Sequence, residues 1–113
     1  MKISGKVIEG RKIGKEIGFP TANIRITPGI FEGIYAGVVE FDNKKYKAAI
    51  YAGNKNPSIL EAHLLSFAGD IYGKKITISV GEKIREDIVE ENIERLKEMI
   101  KEDIEKIKCL PEL

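Results

Sequence analysis

Short apolar runs separated by glycines and turn residues make up the first three quarters of the chain. Runs of this length, rich in Val, Ile and Tyr, predict β-strands. They fall at residues 2–8, 22–26, 34–41, 45–52, 60–67 and 75–81. The turn at Asp42-Asn43-Lys44 predicts a hairpin between the third and fourth strands. Short strands in this number favour a small closed barrel, because closure removes the exposed edges of an open sheet.

The last quarter of the chain has a helical period instead. Apolar residues recur at spacings of three and four, which places them on one helix face. They are Val89, Ile93, Leu96, Ile100, Ile104 and Ile107. We predict a helix over about 87–108, with Asp87 as its cap and Pro111 after its end. The helix is expected to pack on the barrel (about 1–86) within one domain of residues 1–113, and we assign it no chemistry.

Length and composition narrow the class of protein. The chain has 113 residues, of which 42% are hydrophobic and 33% charged, so it predicts one folded domain rather than disorder. It lacks both a run of roughly 20 apolar residues and the apolar core of a secretory signal. Cys109 is the single cysteine, which excludes a disulfide framework and a cysteine-based zinc site. We therefore expect a cytoplasmic monomer with no membrane partner.

The net charge of +1 is unevenly distributed along the chain. Residues 1–86 carry 14 basic and 9 acidic side chains, whereas residues 87–113 carry 5 and 9. A positive N-terminal region suits a phosphate-bearing ligand. A solvated surface of mixed charge is the alternative interpretation. The basic residues are not interleaved with aromatic ones, so a nucleic-acid partner is not expected.

Three glycines spaced four apart, Gly10, Gly14 and Gly18, mark the segment before the second predicted strand. Backbone amides in such a loop can approach phosphate oxygens closely, and Lys15 would add a charged contact. The segment matches neither a Walker A sequence nor a dinucleotide-binding fingerprint. An ordinary set of turns is the alternative.

Oxygen-bearing side chains follow this loop and begin the fifth predicted strand. Thr21 and Asn23 are two residues apart, so in an extended segment they point the same way. A hydroxyl and an amide oxygen suit Mg²⁺ that shares phosphate oxygens. Glu61 is a charged residue near the start of an apolar strand, either a solvated strand end or a functional carboxylate. His63 shares its face and is assigned to packing or support.

The block Gly18-Phe19-Pro20-Thr21-Ala22-Asn23 resembles the hallmark Pro-Thr-Ala-Asn block of riboflavin kinases. The similarity continues in order along nearly the whole chain, so the set is more specific than any one motif. Its other members are Gly5–Gly10, Gly33–Gly37, Glu61–Phe67, Asp70–Gly73, Ile84-Arg85 and the acidic helix near Asp103-Ile104.

The resemblance implies a six-stranded Greek-key barrel with a C-terminal helix. It also implies transfer of the γ-phosphoryl group of ATP to the ribityl 5′-hydroxyl of riboflavin, which gives FMN. By position, Glu61 matches the catalytic base of the family. Arg85 falls in a second flap that closes on the flavin.

The nucleotide and metal roles come from the same resemblance. Gly10 and Lys15 would lie in a flap over the nucleotide. Thr21 would contact phosphate and, with Asn23, hold Mg²⁺ or another divalent ion such as Zn²⁺ or Mn²⁺. The expected partners are therefore two small molecules, riboflavin and ATP.

The sequence departs from the family at two points. The connection from Asn56 to Glu61 is shorter than usual, and Ser58 stands where Thr is common, which makes flavin selectivity less secure. The adenylyltransferase domain of many bacterial relatives is missing, so the reaction is expected to stop at FMN. The alternatives are a non-catalytic flavin- or nucleotide-binding barrel and a small β-barrel that binds nucleic acid.

Overall fold

The computed structural model describes residues 1–8, 21–29, 32–53, 57–67, 69–86 and 90–111. In these segments six antiparallel strands form one sheet in the order β1-β6-β3-β4-β5-β2. A single helix, α1, follows the last strand within the described part of the chain. The bounds are β1 Lys2–Lys6, β2 Ala22–Arg25, β3 Gly33–Phe41, β4 Lys44–Ala52, β5 Ile59–Leu64, β6 Lys75–Arg85 and α1 Ile93–Lys108.

The two edge strands meet, so the sheet is a nearly closed barrel. An antiparallel bridge joins Ile8, just after β1, to Asn23 on β2, and the Ile8 amide donates to the Asn23 carbonyl at 2.8 Å. This contact satisfies backbone groups that an open sheet would leave unpaired. The predicted six-stranded Greek-key barrel with a C-terminal helix is confirmed.

The predicted hairpin is present between β3 and β4. Asp42 and Asn43 occupy its two turn positions with φ of 51° and 62°. A two-residue turn with both φ values positive matches the twist of the flanking strands, and Asp and Asn tolerate this conformation. The turn sets the register that places Glu40 opposite Lys45 and Ile34 opposite Tyr51.

Successive side chains along each strand point alternately into the barrel and to its outer face. On β4, Ala48, Ile50 and Ala52 lie in the interior cluster, whereas Ala49 and Tyr51 belong to a second cluster beneath α1. The helix contributes Ile100, Ile104 and Ile107 to that second cluster. The apolar residues spaced three and four apart therefore do form a helix face that is buried against the outside of the barrel.

The predicted start of the helix is wrong. The helix begins at Ile93, and Asn92 is its N-cap, whose side-chain oxygen accepts a hydrogen bond from the Arg95 amide at 3.0 Å. Ile93 is 41% exposed, so it is not part of the packed face. Asp87 and Val89 lie outside the described residues. Within the described segments no helix is long and apolar enough to cross a membrane.

Two strand ends also differ from the prediction. β5 ends at Leu64 rather than 67, and Ser66 has a φ of 59°, which breaks the extended chain. β6 continues to Arg85 rather than ending at 81. Its pairing with β3 shifts register twice near Tyr35, and such bulges bend a strand and redirect its side chains.

Candidate active site

One row of directly opposed residues crosses five strands of the barrel. Asn23 on β2 pairs with Glu61 on β5, and Glu61 pairs with Tyr51 on β4. Tyr51 pairs with Ile34 on β3, and Ile34 pairs with Arg85 on β6. Opposed residues share a face of the sheet, with Cβ atoms roughly 4.5–5.5 Å apart. We call these five residues the outer row.

The outer row faces away from the barrel interior. The neighbours of its members along the strands, Ile24, Leu60 and Ile50, are fully buried inside the barrel. Because successive side chains alternate between the two faces, Asn23, Glu61 and Tyr51 point outward. Helix α1 packs on the same outer surface, so the row lies beside the helix rather than in open solvent.

Asn23 is 3% exposed although its side chain is polar. Its Nδ2 donates to the Thr21 carbonyl at 3.3 Å, and its buried Oδ1 has no hydrogen-bond partner in the described part of the chain. A buried polar atom left in this way costs about 1–3 kcal/mol. Such an atom points to a ligand that supplies the missing interaction.

The donor set suits a hard cation. The orphaned amide oxygen belongs to Asn23, which is two residues after Thr21 in the sequence and opposite Glu61 in the sheet. No group of three or more His, Cys, Asp or Glu side chains in the described segments is arranged to hold a metal ion. A cation here would therefore rely on hydroxyl and amide oxygens, shared with phosphate and water, which is chemistry that Mg²⁺ accepts.

Glu61 is half-buried and lies within β5, with paired strands on both sides. The interpretation of Glu61 as a solvated strand end is therefore wrong. His63 is half-buried two residues further along the same face, opposite Ala49. This position is compatible with the packing or support predicted for His63.

Arg85 reaches across to the helix. Its Nε and Nη2 donate to the two carboxylate oxygens of Asp103 at 2.8 Å and 2.9 Å. Asp103 is 1% exposed, so this two-point ion pair joins the end of β6 to the buried side of α1. The predicted contact of Arg85 with flavin stays a prediction, and the observed geometry shows what orients its guanidinium.

Sequence reasoning named Asp103 only as part of the acidic helix, without a role, and missed the polar side of Tyr51. The available signal for Asp103 was a carboxylate between Ile100 and Ile104 on the apolar face of the helix. The Tyr51 ring lies against the cluster beneath α1. Burial raises the pKa of its hydroxyl above the ordinary range; the charges of Asp103 and Glu61 add to this effect, and Arg85 opposes it.

The strand register places Asn23 directly opposite Glu61, and the Thr21 carbonyl accepts from Asn23 Nδ2. The roles predicted for these three residues stay predictions. Two further predicted residues, Gly10 and Lys15, lie outside the described residues. Arg85 occupies the far end of the outer row, three strands from Glu61. The site is thus a polar row that combines a cation-compatible amide, a carboxylate and an anchored guanidinium on a barrel wall.

Residues 1–110 match the sequence profile of the flavokinase family, described as riboflavin kinase. The chain belongs to the riboflavin kinase family. It is 38% identical over 116 residues to a bifunctional riboflavin kinase/FMN adenylyltransferase of Buchnera aphidicola subsp. Schizaphis graminum (strain Sg), covering 94% of this chain and 37% of that protein. It is 36% identical over 110 residues to the RNA-binding riboflavin kinase RibR of Bacillus subtilis (strain 168), covering 90% and 47%.

A solved structure supports the fold. The crystal structure of riboflavin kinase from Trypanosoma brucei superposes with a TM-score of 0.66 at 24% identity, covering 95% of this chain and 76% of that one. The two proteins share the barrel and its helix. The chain spans less than half the length of the two bacterial relatives named above.

Proposed function

We propose that this chain is a riboflavin kinase, which transfers the γ-phosphoryl group of ATP to the ribityl 5′-hydroxyl of riboflavin and releases FMN and ADP. The observation that carries the proposal is the orphaned, buried Asn23 Oδ1 directly opposite Glu61. Family membership over residues 1–110 supports the same reaction. Phosphoryl transfer needs mainly positioning and charge neutralisation, with one group to orient or deprotonate the nucleophile.

Glu61 is the proposed general base. As the ribityl oxygen bonds to the γ-phosphorus, the bond from that phosphorus to the bridging oxygen of ADP breaks. The hydroxyl proton passes to the Glu61 carboxylate. A half-buried carboxylate between two paired strands is held in place well enough for this role.

Thr21 and Asn23 would hold the divalent cation, with Mg²⁺ as the proposed ion and Zn²⁺ or Mn²⁺ as alternatives. When bound, the ion would neutralise negative charge on the phosphates. Thr21 would also contact phosphate directly, together with Gly10 and Lys15 of the proposed nucleotide flap. Arg85, oriented by Asp103, is proposed to contact the flavin.

The test is conversion of riboflavin to FMN with MgATP, resolved by chromatography, with an EDTA control. Glu61→Gln keeps the shape of the side chain and removes the base, so turnover should fall on the order of 10²–10⁴-fold. The matched control is Glu40→Gln, an exposed carboxylate on β3, which should leave turnover unchanged. Full activity of Glu61→Gln would remove Glu61 from the role of base.

Negative results of the assay separate the alternatives. Riboflavin binding without FMN formation would favour a non-catalytic flavin-binding barrel. If neither binding nor FMN were observed, a different substrate would be indicated, and the short connection before Glu61 would be the first place to examine. The proposal concerns the kinase reaction and not adenylylation of FMN.

The other expected partners and the location stay predictions. A relative named as RNA-binding shares the kinase region, so absence of a nucleic-acid partner needs its own test. Binding to labelled oligonucleotides that weakens steeply with salt would contradict it. Sedimentation of the purified chain would test the expected monomer, and fractionation of cells would test the cytoplasmic location.

A further inference from the structure

The hydroxyl of Tyr51 is buried and has no hydrogen-bond partner among the residues that the structure describes. Its ring packs on the cluster that Ala49, Ile104 and Ile107 form beneath α1. A phenylalanine would fill the same space without leaving a polar atom unsatisfied. Buried tyrosine hydroxyls usually have a partner, because an unpaired one costs free energy. Packing alone therefore does not explain why this position carries a tyrosine rather than a phenylalanine.

Three charged side chains influence the Tyr51 hydroxyl. The carboxylates of Asp103 and Glu61 disfavour its ionisation, as burial does most strongly, so its pKa is raised and the phenol keeps its proton. The guanidinium of Arg85 acts in the opposite direction. A protonated phenol beside two carboxylates is placed to be a hydrogen-bond donor.

Geometry favours Glu61 as the acceptor. The Asp103 carboxylate is oriented toward the Arg85 guanidinium, from which its two oxygens accept at 2.8 Å and 2.9 Å. Glu61 stands directly opposite Tyr51 across the β4–β5 pair and shares its outward face. The hydroxyl itself is fully buried, so a protein side chain reaches it more easily than a substrate does.

We propose that Tyr51 is a positioning residue for Glu61: in the substrate-loaded site its hydroxyl donates to one Glu61 carboxylate oxygen. The other oxygen is then directed toward the ribityl hydroxyl, whose proton it accepts. The Arg85–Asp103 pair lies further along the row, beyond Ile34, where it ties β6 to α1. This inference rests on the proposed kinase function, since it assigns a role to Tyr51 through the proposed base.

The experiment compares Tyr51→Phe with Tyr46→Phe, in the wild-type and Glu61→Gln backgrounds. Tyr46 is on the same strand, but its side chain packs on the interior cluster, which makes it a matched control. Rates of FMN formation are measured with riboflavin and MgATP in saturating excess and expressed per folded molecule, using thermal unfolding to determine the folded fraction. KM values for riboflavin and MgATP are measured alongside.

Tyr51→Phe should lower kcat on the order of tenfold, less than loss of the base itself, with both KM values within about twofold of wild type. In the Glu61→Gln background the same substitution should change the rate by less than about twofold, because the residue that it positions has lost its function. Tyr46→Phe should leave kcat unchanged in both backgrounds. The melting temperature of Tyr51→Phe should not fall, because the ring and its packing are retained.

Several results would overturn the proposal. They are full kcat in Tyr51→Phe, equal rate losses in the two backgrounds, or a raised riboflavin KM at unchanged kcat, which would make the hydroxyl a substrate ligand. Each requires an active wild-type chain, so each leaves the kinase function standing. A wild-type chain that forms no FMN would instead overturn the proposed function and this role together.

Discussion

Asn23 and Asp103 are the two buried polar side chains in the described part of the barrel and helix. Asn23 is the β2 end of the outer row, and Asp103 lies beyond Arg85, which is its β6 end. Asp103 is satisfied by a two-point ion pair, whereas Asn23 keeps an oxygen with no partner in the same segments. Burial of a polar group is costly without a partner, which is why we propose a bound cation at Asn23 and a structural role for Asp103.

Asn23→Ala should weaken the response of FMN formation to Mg²⁺. The substitution removes the orphaned oxygen that we assign to the cation, so the Mg²⁺ concentration for half-maximal rate should rise on the order of tenfold. Titration of MgCl₂ at saturating ATP and riboflavin measures it. Thr77→Ala, which removes a hydroxyl on β6 that pairs with Ser4 at 3.0 Å, is the control and should leave the titration unchanged. An unaltered titration for Asn23→Ala would exclude the metal role.

At the scale of elements, helix α1 does more than cover apolar surface. Its packed face combines Ile100, Ile104 and Ile107 with the carboxylate of Asp103, and the ion pair to Arg85 ties the helix to the end of β6. The bulges in β6 bring Arg85 opposite Ile34, in line with the outer row. The bulges in β6 and the ion pair to α1 together orient the Arg85 guanidinium. A β6 strand without bulges would direct this side chain elsewhere.

Asp103→Ala should lower the free energy of unfolding on the order of 3 kcal/mol, because it removes the carboxylate that neutralises the largely buried Arg85 guanidinium. Denaturant unfolding measures the change. Lys74→Ala is the matched control, since Lys74 donates to Asp42 at 2.7 Å in an exposed pair and lies outside the left-handed turn. An exposed pair of this kind contributes about 0–1 kcal/mol. Equal losses in the two variants would show that the buried pair stabilises no more than a surface one.

At the scale of the whole molecule, the barrel depends on strands that approach each other closely, as well as on an interior filled with side chains. The interior holds mainly aliphatic side chains, and an aromatic group of Phe41, Tyr46 and Phe67 packs with ring centroids 5.2–5.5 Å apart. Gly37 lies on β3 between β4 and β6. There a Cβ would stand 2.7 Å from the Ile50 side chain and 2.7 Å from the Ser79 carbonyl.

Gly37→Ala should destabilise the barrel by about 1–3 kcal/mol, because the new methyl group has no space between a side chain and a backbone carbonyl. The measurement is again denaturant unfolding. Val38→Ala, at the next and half-buried position of β3, separates this overpacking from a general sensitivity of the strand. Wild-type stability in Gly37→Ala would mean that β3 moves aside at little cost.

Much of the barrel and part of the site could be predicted from local patterns. Short apolar runs separated by glycines and turn residues predict the strands, and the Asp42-Asn43 turn predicts the hairpin. The spacing of Ile100, Ile104 and Ile107 predicts the packed helix face. The Thr21–Asn23 pair and Glu61 could be singled out as candidates, because their residue types carry recognisable chemistry and their motifs resemble one family. These features depend on neighbours a few residues away, which a sequence displays directly.

Other features were decided by the tertiary structure. The helix start is not one of them, because the Asn92 cap that fixes it at Ile93 is a local feature, although the apolar period continues further back. Asn23, Glu61 and Tyr51 become neighbours only through the registers of β2, β5 and β4, and Asp103 meets Arg85 only when the helix docks. Register and docking depend on contacts between distant parts of the chain, and no local pattern encodes them. The sequence by itself therefore determined the elements and the kinds of chemistry, whereas the fold decided which side chains act together.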